Sequence, residues 1–264
     1  MITPERVEAY LRQSVALTRE VEEIGPFVLF FDLHDALRFF NYAKPSHPFL
    51  PGEDAPETYD ALSHVIVAFA ARGRLPRFEF LEEYAPGLSA ILQRAGFQEE
   101  ARQSFMVCEA KDFRPVNSPP GVEVRLLTTG SPVVEIQGLI TAQRQGFAND
   151  DTATASEAEA ERLRPQLGAF GRCDVVAWRG EEPVGAAGCT APLDGLSELV
   201  GVATPPRFRR RGLGTAVAAA AVAAQLVAGA EAVILTAEDD AAGRIYERIG
   251  FRPFGVSLAY STER

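Results

Sequence analysis

Cysteine, histidine, methionine and tryptophan are all scarce here: three, three, two and one in 264 residues. Cys108, Cys173 and Cys189 are odd in number, far apart in sequence and without C-x-x-C spacing, so neither a disulfide framework nor a cysteine-held metal is indicated. His34, His47 and His64 form no H-x-x-x-H or H-E-x-x-H pattern, which removes the histidine route to a metal site. No apolar run approaches the ~20 residues that cross a bilayer, and the opening MITPERVEAYLRQ is too charged for a secretory signal. A cytoplasmic protein with no membrane partner is expected. Positive charge is also in deficit: 26 Lys and Arg stand against 36 Asp and Glu, a net of −10. General nucleic-acid binding needs a broad basic face and is not expected.

What is present is enough apolar material, 47% of the chain, to fill a substantial core. The opening reads as a helix: Thr3 can cap it, Pro4 sits in its first turn, and Val7, Tyr10, Leu11, Leu17, Val21 and Ile24 share a face up to Gly25-Pro26. FVLFF reads as a buried strand, and the Pro-, Gly- and charge-rich stretch from Phe31 to Glu57 as a loop. A helix over 58–72, the strand RFEFLEE, the helix YAPGLSAILQRAG and the strand RQSFMVCEA follow.

The aperiodic, proline-rich KDFRPVNSPPG suggests a boundary near residue 118, giving domains 1–118 and 119–264. Beyond it come the strand VEVRLL, the helices PVVEIQGLITAQRQ and SEAEAERLRPQLGAF around a polar loop, and a meander of DVVAWRG, PVGAAGCTA and ELVGVAT. The small-residue helix GTAVAAAAVAAQLVAGA, the strand AVILTAE, the helix DDAAGRIYERIG and the strand FGVSLAYS complete the chain. The expected fold is a mixed, mostly antiparallel sheet flanked by helices, in an α/β (α+β) chain of two tandem domains. A short internal repeat relates LPRFEFLEEYAPGLSAILQRAGF to AEAVILTAEDDAAGRIYERIGF, each a strand, an acidic turn, a helix and Gly-Phe.

Against the acidic background, PPRFRRRGLGTAV places four arginines within five residues, directly before a helix. Unpaired N–H groups at a helix N-terminus, a favourable dipole and glycines that allow close approach make an anion site. A phosphate-bearing ligand is expected. A P-loop is excluded because no Lys follows Gly212 in G-x-x-x-x-G-K-[ST] order. A dinucleotide fingerprint is excluded because the third glycine position holds Val217.

Arg209, Gly212 and Gly214 in this segment resemble the R/Q-x-x-G-x-G/A signature of the GCN5-related N-acetyltransferases. LVGVAT resembles that family's central strand, and Y-E-x-x-G-F at Tyr246 to Phe251 its closing motif, so the resemblance spans the C-terminal half. It implies acetyl-CoA as co-substrate, no metal, and transfer of the acetyl group to a primary amine by direct attack in a ternary complex. Main-chain groups of Val202, Ala203 and Thr204 are then expected to bond pantetheine. The backbone through Arg209, Arg210, Arg211, Gly212, Leu213, Gly214 and Thr215 is expected to wrap the pyrophosphate, with the arginine side chains adding charge.

Tyr246 resembles the general acid for the departing thiolate, and Glu198 is the candidate base. Strand alternation puts Glu198 on the face of Val200 and Val202, toward the splay or away from it. Asp239 stands where many relatives carry an asparagine that bonds pantetheine, and an ionised aspartate only accepts hydrogen bonds. The acceptor could be a small-molecule amine, which Asp150 and Asp151 would attract, or a protein N-terminus or lysine; monomer and homodimer both remain open.

The N-terminal half lacks R-x-x-G-x-G and has Leu88 where a tyrosine would match. It resembles a degenerate domain of the same family, expected to bind no coenzyme and to shape the acceptor cleft. The competing function is a catalytically lapsed coenzyme A-binding sensor or scaffold.

Overall fold

The computed structural model describes residues 1–53 and 55–262. Asp54, in the expected long loop, and residues 263 and 264, at the end of the expected second domain, lie outside the described residues. Thr3 does cap the first helix, its hydroxyl accepting from the Arg6 N–H at 3.3 Å. That helix, α1 (Pro4–Ala16), is shorter than expected. Glu20–Ile24 is a strand, β1, which turns at Gly25-Pro26 into β2 (Phe27–Phe31), with Ile24 opposite Phe27. The spacing of Leu17, Val21 and Ile24 fits a helix equally well, but the apolar strand that follows supplies a hairpin partner, and tertiary pairing overrides local periodicity.

The expected loop also contains a strand, β3 (Tyr42–Pro45). Its Lys44 is 3% exposed and lies 3.1 Å from the buried Glu8 carboxylate, which also accepts the Leu81 N–H at 2.7 Å. This buried ion pair is what allows a charged segment to enter the sheet. The remaining elements of this half are α2 (Pro56–Ala71), β4 (Arg77–Leu81), α3 (Leu88–Arg94) and β5 (Gln98–Glu109).

The second half runs β6 (Glu123–Leu126), α4 (Val133–Ala148), α5 (Glu157–Leu163), β7 (Cys173–Arg179), β8 (Glu182–Cys189) and β9 (Leu196–Ala203). It closes with α6 (Leu213–Val227), β10 (Ala232–Ala237), α7 (Asp240–Glu247) and β11 (Arg252–Ser261). Ser156 and Glu159 form a reciprocal capping box that starts α5. Pro165 cannot continue it, so the expected longer helix breaks into 3-10 turns at Arg164–Gln166 and Ala169–Gly171.

The chain divides into two compact units, but not at residue 118. The first comprises Met1–Phe105 and the chain from Phe254 onward; the second is Met106–Pro253. KDFRPVNSPPG has the composition of a linker, yet it lies wholly inside the second unit. In the first unit the strand order is β1-β2-β3-β4-β11-β5, with β11 antiparallel to β4. In the second it is β5-β10-β9-β8-β7-β6, antiparallel from β6 through β9 and parallel between β9 and β10.

Both copies of the sequence repeat, β4-α3-β5 and β10-α7-β11, are strand-helix-strand. Counted from Gly-Phe, however, the residue matching Tyr246 is Leu92 and not Leu88; both leucines are fully buried.

Each face of the second unit's sheet has its own apolar cluster. Val175, Ala187, Leu199 and Leu235 pack with Leu213, Val217 and Val222 of α6. Val176, Trp178 and Ala186 pack with Ile136, Leu139 and Ala142 of α4. Among the described residues no helix is long and apolar enough to cross a membrane.

Candidate active site

The centre of the second unit is an interrupted ladder. β9 and β10 pair only over Leu196–Glu198 and Ala232–Ile234, although β9 continues to Ala203 and β10 to Ala237. Beyond Glu198 the facing main-chain groups of these two strands have no ladder with each other. On the other side of β9, Gly188 pairs with Val200 and Ala186 with Ala203, so two steps of β8 oppose three of β9. The extra residue is a bulge at Gly201, whose φ is +63°.

The bulge changes which residues share a face. Leu199 and Val202 both pack into the cluster under α6, so the simple alternation expected for Glu198, Val200 and Val202 does not hold across Gly201. Glu198, next to Leu199, projects to the opposite face, the one covered by α4. Its backbone is paired with Thr190, whose N–H donates to Glu198 O at 2.9 Å.

The arginine segment follows β9 directly. A 3-10 turn at Pro206–Phe208 leads to Arg210 with φ +63° and Gly212 with φ +77°; Gly212 is the N-cap of α6 and no side chain caps it. The first N–H groups of such a helix have no intrahelical acceptor. Left-handed residues just before a helix make a concave set of N–H donors suited to an anion. A Cβ added at Gly214 would sit 3.6 Å from Thr204 Oγ1, so side-chain bulk there would enter the space between the helix start and the strand end.

The four arginines have separate roles. Arg209 donates to Gly146 O at 2.8 Å, Asn149 Oδ1 at 2.8 Å and Thr204 O at 3.3 Å. Its guanidinium thus closes the C-terminus of α4, where carbonyls lack partners and the dipole favours a cation, and is not turned to an anion at α6. Arg207 faces Asp151 at 3.6 Å and Glu182 at 3.5 Å. Arg210 and Arg211 are exposed and make no ion pair among the described residues; Arg211 lies 5.8 Å from the Phe208 ring centre.

We expect Arg209→Ala to lower unfolding free energy by about 1–2 kcal/mol, read as a shift in urea midpoint. Arg209→Lys should recover only part of this, because one ammonium cannot reproduce the guanidinium fork.

The loop after α4 is also committed internally. Asn149 takes the left-handed cap position, Asp151 serves Arg207, and Asp150 accepts from Thr152, which holds its carboxyl below the usual range. These contacts, and not a free acidic rim, are what the two aspartates form.

Asp239 is the N-cap of α7, its Oδ1 accepting the Ala242 N–H at 2.7 Å, which leaves Oδ2 for any other partner. Tyr246 lies on the last turn of α7 against the same apolar cluster as Val202, its ring 5.9 Å from that of Phe251. Burial, with the Glu238 carboxylate nearby, pushes its phenol up to about 12. Val202, Leu213 and Tyr246 are therefore brought together at one cluster, and Glu198 is on the reverse face.

Gln143 of α4 belongs to no sequence motif. Its Nε2 donates to Gly201 O at 3.2 Å, at the bulge itself. The available signal was a polar residue one turn after Leu139, on the stripe that Ile136 and Leu139 mark as inward.

Residues 137–251 match the acetyltransferase (GNAT) family. This segment is a GNAT domain. A GCN5-related N-acetyltransferase from Kribbella flavida shares the fold with a TM-score of 0.81 and 27% identity, over 99% of this chain and 96% of that one. A tandem GNAT protein from the clavulanic acid biosynthesis pathway, in a form without AcCoA, gives 0.59 at 14% identity, over 90% of this chain and 79% of that one. A GCN5-related N-acetyltransferase from Sphaerobacter thermophilus gives 0.60 at 12% identity, over 90% and 81% of the two chains. No curated protein matches the sequence. The mixed, largely antiparallel fold is that of the GNAT family, and the interrupted β9-β10 ladder and the arginine loop both lie within the matched GNAT segment.

Proposed function

We propose that the GNAT domain transfers the acetyl group of acetyl-CoA to a primary amine by direct attack, without a covalent enzyme intermediate. The observation that carries this reading is the uncapped N-terminus of α6, preceded by left-handed Arg210 and Gly212, where the β9-β10 ladder has already ended. That arrangement fits the coenzyme in two places. The backbone from Arg209 to Thr215 holds the pyrophosphate, with Arg210 and Arg211 as its charged side chains. Main-chain groups of Val202, Ala203 and Thr204 bond the pantetheine arm. The coenzyme supplies an activated acyl thioester.

The chain's own groups do the rest. An N–H of the bulged strand donates to the thioester oxygen as negative charge develops there. Tyr246 gives its proton to the departing sulfur, and a phenol raised to about 12 is fully protonated at neutral pH. Glu198 takes the proton of the attacking amine from the α4 face. The amine belongs to a small molecule or to a protein N-terminus or lysine, since coenzyme motif and fold do not fix the second substrate. The first unit, with no R-x-x-G-x-G, holds no coenzyme.

Calorimetric titration with acetyl-CoA tests the reading. One site per chain is expected. Two sites would remove the assignment of the first unit, and absence of binding would remove the coenzyme site altogether. Turnover is then followed as free thiol released against a panel of primary amines; binding without turnover on any of them would favour the lapsed sensor.

A further inference from the structure

The peptide joining Gly201 to Val202 lies at the bulge, outside the regular pairing of β9. β8 pairs with Val200 and Ala203 but skips the two residues between them, and β10 has parted from β9 after Glu198. A peptide outside the regular ladder needs other contacts to set its direction, and a donor that is not aimed is a poor oxyanion ligand, because such donors act by being aimed before the reaction begins. A side-chain contact grips this peptide from α4: Gln143 Nε2 donates to Gly201 O at 3.2 Å.

The peptide unit is planar and trans, so its C=O and N–H point in opposite directions. Gripping the Gly201 carbonyl from α4 therefore aims the Val202 N–H away from α4. The fit is close: Gly201 has φ +63°, and a Cβ added there would lie 2.5 Å from Gln143 Nε2. Glycine is required by both the backbone conformation and the approach of the glutamine.

We propose that Gln143 is a positioning residue that orients the Gly201–Val202 peptide so that the Val202 N–H donates to the thioester carbonyl of acetyl-CoA. Gln143 does not touch the reacting atoms; it acts through the peptide it holds. The proposal rests on the acetyl-CoA reading above and adds to it the group that sets the donor's direction.

Isotope-edited infrared spectroscopy of bound [1-13C]acetyl-CoA tests it without any acceptor amine. In the wild-type protein the thioester carbonyl band should move to lower frequency than in free acetyl-CoA. Gln143→Glu has the same shape but can only accept, and so repels the Gly201 carbonyl; Gln143→Met keeps the length and removes the donor. Both should bind acetyl-CoA within about threefold of wild type, since Gln143 lies outside the pyrophosphate loop, and both should return the band toward its free position. Where an acceptor has been found, both should slow kcat roughly ten- to hundredfold with little change in KM for acetyl-CoA, somewhat less than deleting an oxyanion donor outright.

The same band shift in wild type and both variants would overturn the proposal, as would a wild-type complex with an unshifted carbonyl, and in either case the coenzyme site would stand. Failure of the wild-type protein to bind acetyl-CoA would instead remove the functional reading itself.

Discussion

Tyr246→Phe should lower turnover about 100- to 10,000-fold while leaving acetyl-CoA affinity within a factor of about two. The range is that of a positioned general acid. The ring already packs in the apolar cluster beside Phe251, so phenylalanine keeps the packing and removes only the proton. Comparison of kcat with the calorimetric Kd separates the two effects, and unchanged turnover would exclude the phenol as the acid.

The pH profile gives a second check, with the sign set by burial. A phenol must be protonated to donate, and one raised to about 12 stays protonated through the range in which an ordinary tyrosine starts to ionise near 10. Activity that depends on it is present below that value and lost only as pH rises toward 12. Between pH 7 and 10, kcat should therefore show no alkaline fall from this group. An alkaline limb near pH 8–9 in the wild type that disappears in Tyr246→Phe would contradict the assignment.

Gly250→Ala should be the most damaging single methyl in the second unit, costing about 3–5 kcal/mol, a large share of the ~5–15 kcal/mol that usually holds a domain. Gly250 has φ +106°, and a Cβ there would press on Asp112 O, 2.8 Å from that residue's carbonyl carbon. The adjoining backbone cannot easily give way, because the Arg114 N–H is bonded to Ile249 O at 3.0 Å. Gly229→Ala is the control: φ is +101° but no atom lies within 4 Å of the added Cβ, so it carries the conformational cost alone, about 1–3 kcal/mol. Denaturant midpoints of the two variants separate strain from collision. Equal losses would show that the 112–114 segment moves aside freely.

That pair of glycines also shows what was legible in the sequence. Gly-Phe was readable as a motif at Gly250-Phe251, but its cause, the approach of a segment more than a hundred residues earlier, is a property of the folded chain. The same division runs through the site. Helix α6 and its glycine start followed from composition and spacing, because the chemistry of a helix N-terminus is local. The fate of each arginine did not follow. Arg209 is used by carbonyls of α4, and only Arg210 and Arg211 are left to face solvent. Counting in twos puts Glu198 on the face of Val202, a rule that the bulge at Gly201 breaks. In the first half, periodicity alone runs α1 on into β1, and charges and prolines hide β3. Both strands exist because of partners elsewhere in the sheet, and Lys44 enters it only because Glu8 is waiting in α1.

The membership of β11 in the first unit has a consequence for how a ribosome would deliver this protein. The strand that lies between β4 and β5 is made after all the other described strands. After Phe105 has been synthesised, nearly 150 further residues must be added before Phe254 appears. At the usual ~5–20 residues per second this is roughly seven to thirty seconds. Throughout that interval the nascent first unit lacks a central strand, and the edges of β4 and β5 that β11 will pair are open to other chains. Vectorial folding, in which the first unit finishes before the second begins, is thus unavailable: β1 to β5 are completed only when β11 has been made.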